Sequence, residues 1–272
     1  MQIIQNDSIL SKNTQQECKQ NSSFDFASNR FDIDFSKEYS LIKTQNTNYK
    51  PFVQYNKKNF NTLIFTDFTA QDFNLFMCLC FVGKNKSNAK IKLSFKDLEE
   101  LMEKKEKNPK RLFKKFDEFV LKAMKIIIKQ ENKQDDYATN KYTGFFDFIN
   151  IYEKEKIIIF QFNGLMTSVL NNFAIYTQFE LKQYCELKSK YSKQIYTLLM
   201  DNAYKNERVN QLKIDKNNLF KYLELKNIEP DRTFLTPIKR DFDKIFSNFQ
   251  VQKECGGYKN KEVIAYNFIY SR

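Results

Sequence analysis

The chain has 272 residues, of which 45 are Lys or Arg and 33 are Asp or Glu, so its formal net charge is +12; it contains no histidine. The missing histidine excludes Ser-His-Asp and Cys-His catalytic units and His-ligated zinc. The basic charge makes nucleic acid the first candidate partner, but only six of the 45 basic residues are Arg, and this Lys-, Asn-, Ile- and Phe-rich composition is also what AT-rich coding DNA produces. The charge is therefore informative only where it clusters on one face of an element.

The cysteines and the apolar runs indicate the cellular compartment of the protein. The five cysteines are scattered and form no paired CxxC motifs, which argues against a disulfide framework or a zinc ribbon. Cys78 and Cys80 lie in an apolar helical stretch and are expected to fill the core. No apolar run approaches the ~20 residues that span a bilayer, and the N-terminus lacks a signal peptide's pattern. We expect a reduced, cytoplasmic protein without membrane contact.

The first 62 residues read as a polar N-terminal arm, partly disordered, with one short strand at Phe31–Phe35. Residues 1–66 hold eight basic and six acidic residues, so +10 of the net charge belongs to the remainder. From residue 63 the pattern predicts a strand at Leu63–Phe65 and a helix that begins at Asp67 or Thr69.

The helices and strands that follow have clear start signals. Ile91–Leu93 is a predicted strand, and Ser94 with Asp97 forms a capping box for the second helix. Asn108 followed by Pro109 opens a third helix, because proline is favoured at the first helical position. Ile126–Ile128, a polar loop and two strands come next; the strands, 144–152 and 156–162, form a hairpin with its turn at 153–155.

The same order then recurs in the second half. The predicted elements are helices at 178–187 and 189–205, a strand at 212–214, a helix capped by Asp215, a helix at about 232–248, and strands at about 249–254 and 262–270. Three helices followed by a hairpin make a winged helix. The predicted fold is α+β, with the arm at 1–62 and two tandem winged-helix domains at 63–172 and 173–272.

In each half, the last helix before the hairpin is the candidate recognition helix. In 108–125 the apolar side chains share one face, and the opposite face carries the basic ones: Lys110, Arg111, Lys114, Lys122 and Lys125. In 232–248 Leu235, Ile238 and Phe242 begin the apolar face, and the exposed face and its flanks carry Arg232, Thr233, Thr236, Lys239, Arg240, Lys244 and Ser247.

The predicted wings are also basic. Wing lysines usually grip the DNA backbone rather than read bases. The second wing carries Lys253, Lys259 and Lys261, and the first carries Lys129, Lys133 and Lys141.

We find no pattern for catalysis, a cofactor or a metal. A phosphate-binding GxxxxGK[ST] loop is absent. The E-x-K tripeptides at 186–188 and 224–226 suggest a metal-dependent nuclease as an alternative, but no carboxylates lie near them at ligand spacing.

The segment Leu187–Leu199, LKSKYSKQIYTLL, resembles the L-x-S-K-Y-S-x-x-[LI]-Y-x-L-L signature of iteron-binding plasmid replication initiators, the Rep proteins with two winged-helix domains. Leu235–Ile238 is similar to the L-D-P-A-I stretch of their second recognition helix, although Thr236 replaces the Asp and an Ala is missing. Ile157–Phe162 followed by Asn163–Leu165 resembles the strand-to-helix junction that ends their first domain. The resemblance covers about residues 63–272.

This resemblance implies a non-enzymatic protein that binds direct repeats of double-stranded DNA in a plasmid origin as a monomer, helps to open an adjacent AT-rich region and recruits host initiation and helicase-loading proteins. It also implies a homodimer, formed largely through the first domain, that represses the initiator's own promoter. A tandem winged-helix transcription repressor is the other alternative. The start of the second recognition helix has two solutions: Asp231 caps it and Pro237 kinks it, or Thr236 caps it.

Overall fold

The structure is a computed structural model that describes residues 50–60, 63–86, 89–103, 108–131, 140–171, 176–203, 208–226, 230–256 and 262–271. All of them belong to one compact unit, Tyr39–Arg272. The predicted strand at Phe31–Phe35 lies outside the described residues. Within these ranges, no helix combines the length and the apolar character that crossing a bilayer requires.

The elements of the first half are β1 (Phe52–Asn56), α1 (Lys57–Phe60), β2 (Leu63–Ile64), α2 (Ala70–Gly83), β3 (Ile91–Ser94), α3 (Phe95–Leu101), α4 (Pro109–Ala123), β4 (Ile127–Glu131), β5 (Asn140–Gly144), β6 (Phe146–Tyr152), β7 (Ile157–Phe162) and α5 (Gly164–Asn171). Those of the second half are β8 (Tyr176–Glu180), α6 (Leu181–Glu186), α7 (Lys190–Asn202), β9 (Asn210–Asp215), α8 (Lys216–Tyr222), α9 (Asp231–Phe242), β10 (Asn248–Gly256) and β11 (Glu262–Ser271).

The same arrangement of three helices and a three-stranded sheet occurs in both halves; the three helices are α2, α3 and α4 in the first half and α7, α8 and α9 in the second. In the first half β7 lies between β3 and β6, and in the second β11 lies between β9 and β10. All four pairings are antiparallel, and in each half the strand that follows the first helix pairs with the last strand. Because three helices followed by a hairpin define a winged helix, the repeated order confirms the predicted α+β fold with two winged helices.

Local capping explains where the helices of the first half begin. Thr69, not Asp67, caps α2 and forms a capping box with Asp72. Ser94 forms the predicted box with Asp97 at the start of α3. Asn108 caps α4, which has Pro109 at its first position. These short side chains satisfy N–H groups that have no partner inside the helix, so the sequence predicted these starts correctly.

Aromatic side chains fix the two candidate recognition helices, α4 and α9, to the core. Below α4, the ring of Phe116 lies 5.4 Å from that of Phe119 and 6.1 Å from that of Phe95 of α3. Below α9, the ring of Phe234 lies 5.5 Å from that of Tyr266 of β11. Rings packed at these distances and angles contribute favourable edge-to-face contacts beyond the area that they bury. The predicted core cysteines, Cys78 and Cys80, are both fully buried in the same hydrophobic cluster.

One predicted helix is wrong at its start. Residues 178–180 were assigned to the helix 178–187, but they belong to β8, and α6 begins only at Leu181. β8 pairs antiparallel with β1, with Thr177 opposite Tyr55 and Phe179 opposite Val53. Because β1 lies far away in the chain, at residues 52–56, the local pattern around residue 178 does not show this partner.

The chain between α4 and β6 also differs from the prediction. Residues 140–143 were assigned to a polar loop, but β4 and β5 form an antiparallel hairpin, to which β2 adds a third strand. This hairpin is additional to the β6–β7 hairpin, whose turn lies at 153–156 close to the predicted position.

Candidate nucleic-acid interface

The exposed face of α9 contains most of the second predicted set of contacts. Phe234, Ile238 and Phe242 are fully buried, which turns the opposite face of the helix outwards. The predicted residues on that face and just beyond the helix end are all exposed: Arg232, Thr233, Thr236, Lys239, Arg240 and Lys244.

An open groove of about 650 Å³ runs beside this face, between α9 and β10. Thr236, Lys239 and Arg240 line it from the helix, and Gln250 and Gln252 line it from the strand. The groove therefore joins three predicted contacts to polar side chains of the wing.

The exposed face of α4 contains three of the first predicted set. Leu112, Phe116 and Phe119 are buried, and Lys110, Arg111 and Lys114 are exposed at the first two turns of the helix. These turns are the part of a recognition helix that meets base edges in helix-turn-helix proteins.

Lys122 of α4 is held by a carboxylate of α2. Its Nζ lies 2.7 Å from Oδ2 of Asp72, and only 26% of its side chain is exposed. The same carboxylate oxygen accepts the N–H of Thr69 at the start of α2. Lys122 thus joins α4 to the N-terminus of α2.

Lys253 of the second wing is held by the start of α9. Its Nζ lies 2.5 Å from Oδ2 of Asp231, and the hydroxyl of Tyr266 donates to Oδ1 of the same carboxylate at 2.5 Å. Burial raises the pKa of Asp231, but the bonds from Lys253 and Tyr266 outweigh it, so the pKa lies below its ordinary value. Burial and the adjacent Asp231 both raise the pKa of Tyr266. Asp231 therefore stays charged and Tyr266 stays protonated at neutral pH.

The start of α9 is settled. The helix begins at Asp231, after Pro230, and continues through Pro237. The alternative in which Thr236 caps the helix is wrong, and Asp231 is its first residue rather than a side-chain cap. Asp231 is bound to the wing instead.

The signature segment Leu187–Leu199 packs α7 against its neighbours. Ser189 caps α7, and the hydroxyl of Ser192 lies 3.4 Å from the carbonyl oxygen of Pro237 in α9. Lys193 is fully buried; its Nζ donates to the carbonyl oxygen of Tyr184 at 2.6 Å and lies 4.5 Å from the centre of that ring. The segment therefore supports α9 on the side away from its exposed face.

Sequence reasoning missed one residue of this support, Asp241. Its Oδ2 accepts the N–H groups of Lys188 and Ser189, both at 2.9 Å, at the start of α7. Asp241 is 3% exposed and lies on the buried side of α9 with Phe234 and Ile238. A carboxylate at an apolar position of a helix is the signal that would have found it, because a buried charge requires partners.

Some predicted contacts cannot be located. Lys259, Lys261 and Lys133 lie outside the described residues, as do the side chains of Lys129 and Lys141. Across the described ranges, no three Cys, Asp or Glu side chains come together as a metal site.

The comparisons with known proteins concern the whole arrangement. The chain is similar in structure to the Pi initiator protein, solved in complex with iteron DNA, at a TM-score of 0.62 and 12% identity; the match covers 82% of this chain and 98% of that one. It is also similar to domains 2 and 3 of RctB, at a TM-score of 0.50 and 10% identity, over 83% of this chain and 92% of that one. At these identities the similarities show the fold.

No curated protein sequence matches the chain. The family model of the initiator replication protein winged-helix domain, WH1, matches residues 53–200. Since this match spans more than half of the chain, the chain belongs to the initiator replication protein family.

Proposed function

We propose that this initiator starts plasmid replication by binding direct repeats of double-stranded DNA in the origin through α4 and α9. The observation that carries the proposal is that each winged helix exposes a basic face on its third helix. Three of the six arginines of the chain, Arg111, Arg232 and Arg240, lie on these two helices. The Pi initiator protein, which has a similar fold, was solved with iteron DNA.

The residue types suggest which contacts read bases. Arginine makes two parallel hydrogen bonds to the O6 and N7 atoms of guanine, so arginines on a recognition helix are favoured base readers. In our proposal Arg232, Thr236 and Arg240 read one major groove, and Lys110 and Arg111 read a neighbouring one. Adjacent major-groove sites lie about 10 bp apart on one side of the duplex.

The lysines serve a different purpose in this proposal. Lys114, Lys239, Lys244 and the wing lysines at 259 and 261 neutralise phosphates. Each phosphate contact releases counterions, so affinity falls steeply as salt concentration rises. We leave Lys122 and Lys253 out of this group because carboxylates already pair with their ammonium groups, Asp72 at 2.7 Å and Asp231 at 2.5 Å.

Membership of the family supports a wider role. We infer that the bound protein recruits host initiation and helicase-loading proteins in the cytoplasm. We also infer that a homodimer, formed largely through the first winged-helix domain at 63–172, represses the initiator's own promoter.

DNase footprinting of the DNA upstream of the gene tests the proposal. We expect protection of tandem direct repeats, at a spacing that lets α4 and α9 enter successive major grooves. Protection of one inverted repeat alone would make the chain a repressor rather than an initiator. Cleavage of the probe in Mg²⁺ or Mn²⁺, lost on addition of a chelator, would instead identify a nuclease.

Replacing Asp231 by asparagine is expected to raise affinity for random-sequence DNA. Asparagine keeps an acceptor for the Tyr266 hydroxyl but removes the charge 2.5 Å from Lys253, which releases this lysine for phosphate. The slope of log affinity against log salt should become steeper by up to about one. Fluorescence anisotropy across a salt series measures both quantities.

The control is Glu262→Gln. Glu262 lies on the same wing, and its Oε1 is 3.2 Å from Nζ of Lys216 of α8. The substitution removes the same unit of charge, but the lysine that it releases is not a proposed DNA contact. Equal increases in the two variants would point to net charge alone and would contradict a specific role for Lys253.

A further inference from the structure

Two neighbouring residues of α9 have opposite environments. The side chain of Arg240 is 57% exposed on the face that borders the groove, whereas that of Asp241 is 2% exposed. Even so, Nε of Arg240 lies 3.6 Å from Oδ1 of Asp241. A buried carboxylate thus reaches the edge of the candidate interface.

The carboxylate of Asp241 cannot turn freely. Its Oδ2 accepts the N–H groups of Lys188 and Ser189, which precede α7 and have no helical partner. These two bonds fix the plane of the carboxylate, and therefore the position of Oδ1. At 3.6 Å this contact is an ion pair, longer than a hydrogen bond, so the guanidinium of Arg240 faces a negative charge that belongs to the rigid support behind α9.

This fixed acceptor has a consequence for the exposed arginine. An arginine side chain loses rotamer entropy when it is ordered. A side chain that is already oriented in the free protein loses less on binding. An ion pair at Nε does not occupy the two terminal nitrogens of Arg240, which a bidentate contact with guanine requires.

We propose that Asp241 is a positioning residue that orients Arg240 and thereby sets the base preference of the second recognition helix. The proposal rests on the function proposed above. The proposal gives the beginning of the signature segment a part in sequence recognition. Lys188 and Ser189 hold Asp241, and Asp241 holds Arg240.

Asparagine at position 241 separates this role from simple capping. Its single oxygen can still accept the N–H groups of Lys188 and Ser189, but an NH₂ group then stands in place of Oδ1. Because that NH₂ and the Nε–H of Arg240 are both donors, they cannot pair. Asp241→Asn therefore keeps the cap and removes the orientation of Arg240.

The experiment compares the wild type with Asp241→Asn, Arg240→Ala and the double variant. The probes are a duplex with the footprinted upstream sequence and a random duplex of equal length. We expect Asp241→Asn to lower the ratio of the two affinities about three- to tenfold, the range that corresponds to ordering one side chain. In the Arg240→Ala background the same substitution should leave the ratio unchanged. Equal losses on both duplexes, or an unchanged effect without Arg240, would show a merely structural role and overturn the proposal.

A second readout does not depend on DNA. ¹⁵N relaxation of the arginine Nε–H groups in the free protein should show an ordered Arg240 signal that becomes mobile in Asp241→Asn; Arg240→Ala identifies the signal. If Arg240 is equally mobile in both proteins while sequence preference is intact, the positioning role is overturned and the proposed function stands. If Arg240 is ordered but the wild type binds both duplexes equally, the proposed function fails, and the role in recognition fails with it.

Discussion

Replacing Phe116 by alanine is expected to lower the free energy of unfolding by about 3–5 kcal/mol, the range for deleting a buried aromatic ring. Phe116 is fully buried in the middle of α4, and its ring packs against those of Phe95 and Phe119. A cavity at this point removes both the apolar burial and the aromatic contacts that hold the first recognition helix. Urea denaturation followed by circular dichroism gives the change as a shift of the midpoint at constant slope.

Leu121 provides the matched control for this prediction. It lies on the same helix but is 65% exposed, so Leu121→Ala should change the free energy by no more than about 0.5 kcal/mol. A comparable loss in both variants would mean that helix propensity, rather than packing, governs α4. An unchanged stability in Phe116→Ala would contradict its place in the core.

The second large effect is expected at Asp201, near the end of α7. Its Oδ1 accepts hydrogen bonds from the hydroxyls of Tyr55, at 3.2 Å, and of Thr177. Tyr55 lies on β1 and Thr177 on β8, so one carboxylate joins this pair of strands to α7. Burial first, and the charge of Asp201 next, raise the pKa of Tyr55, which keeps its hydroxyl protonated as a donor.

Asp201→Ala should therefore lower the free energy of unfolding by about 2–4 kcal/mol, because two buried hydroxyls lose their acceptor. Asp201→Asn keeps one acceptor oxygen and should lose roughly half as much. Thermal or urea denaturation of the wild type and the two variants measures their free energies of unfolding and so gives the order of the losses. A loss in the asparagine variant as large as that in the alanine variant would show that the negative charge, rather than the hydrogen bonds, stabilises this junction.

Much of the site was predictable because recognition helices depend on local signals. The spacing of Leu112, Phe116 and Phe119 predicts which face of α4 is buried, so Lys110 and Arg111 are correctly predicted on the exposed face. Helix starts were predictable where a Ser, Thr or Asn side chain caps within three residues. Ser94 and Asn108 are examples.

The errors and omissions share a different cause. The basic residues Lys122 and Lys253 look like their neighbours in the sequence, but each is paired with a carboxylate from another element, Asp72 and Asp231. Residues 178–180 become a strand only because β1 lies beside them. A pattern of near neighbours contains no information about such partners.

Local patterns in the sequence predict the order of the winged-helix elements and the side of α4 and α9 that faces outwards, because periodicity and capping act over one or two helical turns. Which of the basic residues the protein itself holds depends on the tertiary structure. It also decided that Asp241 connects the start of α7 to Arg240. The reason is that a buried carboxylate must find its partners wherever the packed chain brings hydrogen-bond donors to it. The net charge of +12 thus describes the whole chain, whereas the charge that can meet DNA is determined by these pairings.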